Sequence, residues 1–145
     1  MKTIIPRTLY FAYGSNLNKE QMSSRCPNAK PLGKLMLADW RLVFRGVADI
    51  EPCEGAILPI GLWAITDKCE LALDVYEGYP RLYGKRYFNI KGERYMTYTM
   101  NHDGISPPNQ SYAKTIRDGY NDFLLPTTFL DEAIKHSYKA TDSLL

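Results

Sequence analysis

Thr8 to Tyr13 reads TLYFAY, an aromatic and aliphatic run that stops dead at Gly14-Ser15-Asn16. Such a run is a buried strand, and the three residues after it are the material of a tight loop. A helix is expected directly afterwards. Asn18 with Gln21 three positions later fits an N-cap and its capping-box partner, Lys19 to Arg25 supplies the helix, and Pro27 cannot continue a helix interior. Any fold open to this chain must therefore join a buried strand, a tight loop and a short helix in immediate succession.

The middle of the chain is rich in strand signals. Gly33 to Arg45 holds two apolar runs, Leu35 to Ala38 and Leu42 to Phe44, and Ala56 to Thr66 is long, apolar and interrupted by Pro59 and Gly61. These read as strands, with bends or bulges at the interruptions. Asp67 is expected to cap a helix with Glu70 as its box partner, since Cys69, Ala72, Leu73 and Tyr76 recur at helical spacing; that helix ends at Glu77-Gly78. Arg86 to Ile90 and Glu93 to Met100 flank Lys91-Gly92 as a hairpin, and Asn101 to Gln110 reads as a loop with little to bury. Ser111 to Leu124 reads as a helix broken or bent near Gly119, and Phe129 to Tyr138 as another, capped by Thr128. Strands clustered centrally, with helices inserted and appended, predict an α+β class and one domain over 1–145, its core from about 8 to 138 and a fraying tail at 139–145.

Composition narrows the function. An apolar share of 45% in 145 residues suffices for one core without metals or disulfides. Lys and Arg exceed Asp and Glu by only 18 to 16 and are scattered, which argues against nucleic acid as a partner. Cys26, Cys53 and Cys69 are odd in number and widely spaced, so reduced thiols are expected, and His102 and His136 have no ligand at metal spacing, so no metal is expected. Met1 to Arg7 lacks the apolar core of a signal peptide and no stretch is long enough for a membrane span, which makes the cytoplasm the default compartment.

Two places carry chemistry. At Tyr13-Gly14-Ser15-Asn16 successive backbone amides can converge on an anion such as a carboxylate, and Gly14 admits a ligand close to the main chain. The same residues are also ordinary turn formers. Glu77 sits in the last turn of its helix, where the macrodipole disfavours a negative charge; desolvation by Tyr76, Tyr79 or Tyr83 would raise its pKa further, toward a value suited to both taking and giving a proton. Its bland alternative is an exposed glutamate before a helix-ending glycine. Ser15 with Asp39 or Asp74 and a histidine makes no recognisable nucleophile elbow, and the eleven tyrosines lie on strand and helix faces where packing is a commoner use than base stacking.

LYFAYGSN at Leu9 to Asn16, LDVYEGYPRLY at Leu73 to Tyr83 and GYNDFLL at Gly119 to Leu125 together resemble the gamma-glutamylcyclotransferase-like (AIG2-like) family in order, spacing and placement. The resemblance spans about Thr8 to Ser137. It implies a small, curled mixed β-barrel or sheet with helices around one pocket. It also implies an acyltransferase that needs no cofactor, acting on a small γ-glutamyl substrate: the substrate's α-amine attacks its own γ-carbonyl and releases 5-oxoproline. Glu77 is carried over as the catalytic acid-base. Tyr13, Gly14, Ser15, Asn16 and Leu17 are carried over as the substrate loop, and Tyr83 as a positioning residue with Tyr87 as the fallback. The glutathione-degrading branch has a different loop after its tyrosine and glycine, so Tyr-Gly-Ser-Asn points away from it. A pocket that binds a metabolite without turnover is the alternative.

Overall fold

A computed structural model describes residues 6–142. The leader reading over Met1 to Ile5 and the last three residues of the expected tail lie outside them. Five strands form one mixed sheet in the order β2-β3-β1-β5-β4: β1 (Thr8–Ala12), β2 (Lys30–Arg45), β3 (Val47–Ile65), β4 (Tyr83–Ile90) and β5 (Glu93–Met100). The pairing of β1 with β5 is parallel and the other ladders are antiparallel. β2 and β4 are the two edge strands and do not pair with each other, so the sheet is curled but not closed into a barrel. Helices α1 (Lys19–Arg25), α2 (Asp67–Tyr76), α3 (Gln110–Asp122) and α4 (Thr128–Asp142) surround it, giving the α+β class expected. No helix among the described residues is long and apolar enough to cross a membrane.

β1 is central and its last three residues are buried, as its composition demands. β2 and β3 form one long hairpin turning at Gly46, whose φ of +82° suits glycine. The sequence reading missed this because the turn has a single punctuating residue and Val47 to Gly55 lacks a clean alternation. The expected bends at Pro59 and Gly61 are not there. Register shifts fall elsewhere: between Pro31 and Gly33 on β2, and between Ala38 and Trp40, where the pairing on β3 passes from Ile57 to Pro52. Gly61 serves close packing: a Cβ there would lie 2.7 Å from Leu17 Cδ2.

α1 has the expected bounds, and the Asn18 side chain accepts from the Gln21 amide at 3.0 Å. α2 is capped by Thr66 rather than Asp67, its hydroxyl oxygen accepting from the Cys69 amide, so Asp67 becomes the first helical residue. The Lys91-Gly92 turn has positive φ at both residues, as a two-residue hairpin requires. The loop after β5 is tied down, since Ser106 exchanges backbone hydrogen bonds with Phe44 and Gly46. α3 is not broken at Gly119. That glycine lets the helix lie against the chain, where a Cβ would come within 2.6 Å of Leu17 Cβ and 2.7 Å of the Asn18 nitrogen. α4 runs to Asp142, so 139–142 are helical rather than frayed.

The expectation of reduced thiols is corrected for two of the three cysteines. Cys26 and Cys69 form a disulfide between the end of α1 and the first turn of α2, and Cys53 remains a half-buried thiol. The pair is 43 residues apart, and packing of α1 beside α2 brings them together.

Candidate active site

β1 delivers the chain to the pocket. Tyr13 leaves the strand buried, with its hydroxyl donating to the Tyr98 carbonyl at 2.6 Å. Ser15–Leu17 then form a 3-10 turn. α2 delivers Glu77 from the other side. Gly78 takes φ +65°, the Gly78 amide donates to the Val75 carbonyl and the Tyr79 amide to the Asp74 carbonyl. This is the glycine-terminated helix end in which the residue before the glycine is fixed as the cap, and here that residue is Glu77.

These elements form a small open cleft lined by Tyr10, Tyr13, Gly14, Ser15, Asn16, Ala48, Glu77, Tyr83, Tyr98 and Tyr112. Glu77 is the one acidic residue among them. Asn16, 3% exposed, organises the floor. Its Nδ2 donates to Glu77 Oε1 at 3.1 Å and to the Tyr10 hydroxyl at 3.0 Å. Its Oδ1 accepts from Arg25 Nη1 at 2.9 Å, and its main-chain oxygen from Trp63 Nε1 at 3.1 Å. Ser15 Oγ lies 3.0 Å from the Tyr76 hydroxyl. Gly14 faces Ala48: a Cβ at Gly14 would sit 3.1 Å from the Ala48 methyl, close enough to force movement.

Burial pushes the Glu77 carboxyl up from 4.5 to about 7, against the opposing pull of Arg25 and of the Asn16 hydrogen bond. Its Oε2 has no partner among the described residues. Burial also raises Tyr10, Tyr13, Tyr83, Tyr98 and Tyr112 far above the ordinary phenol value, so each stays a neutral donor. Three of those protons are committed: Tyr13 to Tyr98 O, Tyr83 to Ala48 O at 2.6 Å, and Tyr98 to Asp74 Oδ1 at 2.6 Å. The Tyr10 and Tyr112 hydroxyls act as acceptors, from Asn16 and from the Ala48 amide, and their own protons have no acceptor among the described residues. The cleft thus offers one carboxyl titrating near neutrality beside two neutral donors.

Of the candidate site residues, Tyr13, Gly14, Ser15, Asn16, Glu77 and Tyr83 all line this cleft. Leu17 is not among the lining residues. It is fully buried in the core between Gly61 and Gly119, and its amide closes the 3-10 turn on Gly14 O. Tyr87 points outward, half exposed beneath Arg94. Tyr10, Ala48, Tyr98 and Tyr112 were missed, as was Arg25 behind them. Tyr10 and Tyr98 looked like strand packing, and only the placement of β5 beside β1 shows that they converge.

A family model described as gamma-glutamyl cyclotransferase, AIG2-like, matches residues 10–120. Among solved structures, a gamma-glutamyl cyclotransferase is 25% identical with a TM-score of 0.77, covering 87% of this chain and 85% of that one. An uncharacterized protein from Homo sapiens is 26% identical with a TM-score of 0.75 over the same shares. YkqA from Bacillus subtilis, 20% identical with a TM-score of 0.72, covers 92% of this chain and 55% of its own and shares the fold. No curated protein matches the chain by sequence.

Proposed function

Because this chain belongs to the gamma-glutamyl cyclotransferase, AIG2-like family, we propose that it is a cyclotransferase releasing 5-oxoproline from a small γ-glutamyl compound. The α-amine of the γ-glutamyl group attacks its own γ-carbonyl carbon. The new C–N bond closes a five-membered ring as the old amide C–N bond breaks, and the leaving amine departs. The attacking ammonium loses two protons on becoming the ring N–H, and the amide nitrogen takes up two on leaving as an ammonium, so a single carboxyl acting in turn as base and as acid can carry them from one nitrogen to the other. No electrons change hands, and the steps call for no cofactor.

The observation that carries this reading is Glu77: a half-buried carboxyl lining the cleft and titrating at about 7, one oxygen held by Asn16 and the other without a partner among the described residues. A carboxyl of that kind is ionised often enough to accept a proton at neutral pH and acidic enough to return it. The free hydroxyl protons of Tyr10 and Tyr112 suit a developing negative charge on the attacked carbonyl or the substrate's carboxylate. The rigid loop Tyr13 to Asn16 and Tyr83 hold the substrate folded for ring closure, which supplies rate through orientation.

The test is a panel of γ-glutamyl amino acids and γ-glutamylamines with the products identified by mass. Wild type is expected to give 5-oxoproline, with kcat/KM falling on the acid side of about pH 7, and Glu77→Gln is expected to fold and give none. Full activity in Glu77→Gln would sink the proposal. Free glutamate in place of its cyclic form would indicate hydrolysis, and tight binding with no product would indicate a non-catalytic binding module.

A further inference from the structure

Arg25 ends α1 and does not line the cleft, yet its guanidinium touches one lining residue, Asn16, and two residues behind the wall. Nη1 donates to Asn16 Oδ1 at 2.9 Å, Nη2 donates to Gln21 Oε1 one turn earlier on the same helix, and the guanidinium carbon lies 3.6 Å from the Tyr76 ring centre. Tyr76 in turn meets Ser15. The next residue, Cys26, is bonded to Cys69 at the start of the helix that carries Glu77. Resting on the proposed cyclotransferase reading, we propose that Arg25 is a positioning residue of this site, which fixes the direction of the Asn16 amide so that its NH2 group is held on Glu77.

The reason is the asymmetry of donors and acceptors. An asparagine amide fits its space almost equally well in two orientations, and only hydrogen bonds choose between them. Arg25 has donors and no acceptor, so it tolerates only the oxygen of Asn16. That choice turns the NH2 group toward Tyr10 and Glu77, where it favours the carboxylate. Flipped, the amide would set an oxygen against the carboxylate and oppose its ionisation. The cationic group adds a direct effect in the same direction. The other titratable groups coupled to Glu77 are Tyr10, Tyr13, Tyr83 and Tyr112, all neutral phenols, so Arg25 is the one cation among them. Gln21 and the Tyr76 face hold the planar group flat, a geometry that an ammonium does not reproduce.

The experiment compares wild type, Arg25→Met and Arg25→Lys. In Arg25→Met, kcat/KM is expected to fall at every pH, and the acid limb is expected to move upward by about one pH unit, the scale of a lost opposite charge. The ratio of variant to wild type cancels the substrate's own titration, and it should be roughly tenfold lower at pH 6 than at pH 9. A uniform loss across pH, as from damaged packing alone, overturns the inference. Arg25→Lys keeps the charge, so its limb is expected near the wild-type position with a reduced rate; a wild-type rate in this variant also overturns it. If Arg25→Met does not fold, Arg25→Lys decides. A readout independent of activity separates this inference from the function itself. In protein labelled with carboxyl carbon-13 glutamate, Glu77, assigned by its loss in Glu77→Gln, is expected to titrate higher in Arg25→Met than in wild type. An unmoved midpoint refutes the role of Arg25 even if the substrate panel yields no 5-oxoproline.

Discussion

Replacing Glu77 by Gln should stabilise the protein while removing its activity, and the gain should depend on pH in a defined way. In the unfolded chain the carboxyl titrates near 4.5, and in the fold at about 7. Because the folded value is the higher one, the fold prefers the protonated acid. The stability associated with this group is fully present below pH 4.5, drains away as the pH rises to about 7 and stays lost above it. At about 1.4 kcal/mol per pH unit, the interval corresponds to an ionised carboxylate costing the fold ~3 kcal/mol at pH 8 and above. Gln has no charge to bury and its Oε1 accepts the same hydrogen bond from Asn16. The assay is the melting temperature of both proteins in matched buffers from pH 4 to pH 9. The Gln variant should gain on wild type progressively between pH 4.5 and 7, to a plateau of roughly 10 °C for a chain of this size. A difference that is flat with pH, or that narrows as pH rises, would refute the reasoning that burial dominates the environment of Glu77.

Gly119→Ala should destabilise by about 1–3 kcal/mol in urea unfolding, because the added methyl meets Leu17 and the Asn18 nitrogen; an ordinary exposed helix would gain from the same change. Breaking the cross-link with Cys26→Ser should cost about 4 kcal/mol from the 43-residue separation it closes, and reductant should lower the wild-type melting temperature toward that of the variant. Tyr83→Phe leaves the Ala48 carbonyl without its 2.6 Å donor and should cost about 1–3 kcal/mol of stability, measured by denaturant titration.

Local signals carried much of this fold. The strand at Thr8, the helix after Asn18, the hairpin at Lys91-Gly92 and the helix end at Gly78 each depend on a few adjacent residues whose backbone preferences are strong. Features set by distant contacts were misread. Gly61 and Gly119 look like interruptions in a sequence, but they are the two surfaces between which Leu17 is clamped. Cys26 and Cys69 have no spacing signal, since their meeting depends on how α1 packs on α2. In the site, Glu77 and the loop stood out because each has its own local peculiarity. Tyr10, Tyr98 and Tyr112 have none: they resemble any other core tyrosine until three separate elements are folded around the cleft.

The contact between Gly14 and Ala48 ties two distant positions into a single unit of variation. Ala48 cannot retreat, because its amide is held by Tyr112 and its carbonyl by Tyr83, and the space opposite its methyl is the space a side chain at 14 would need. Methyls at both positions would sit 3.1 Å apart, so that one neighbour must give by a few tenths of an ångström, and the pair is disfavoured against a methyl at either position alone. Related sequences drifting apart would trade that methyl between them, so that alanine at the loop position travels with glycine at the strand position. An alanine that looks like filler thus shares the history of the loop glycine 34 residues before it.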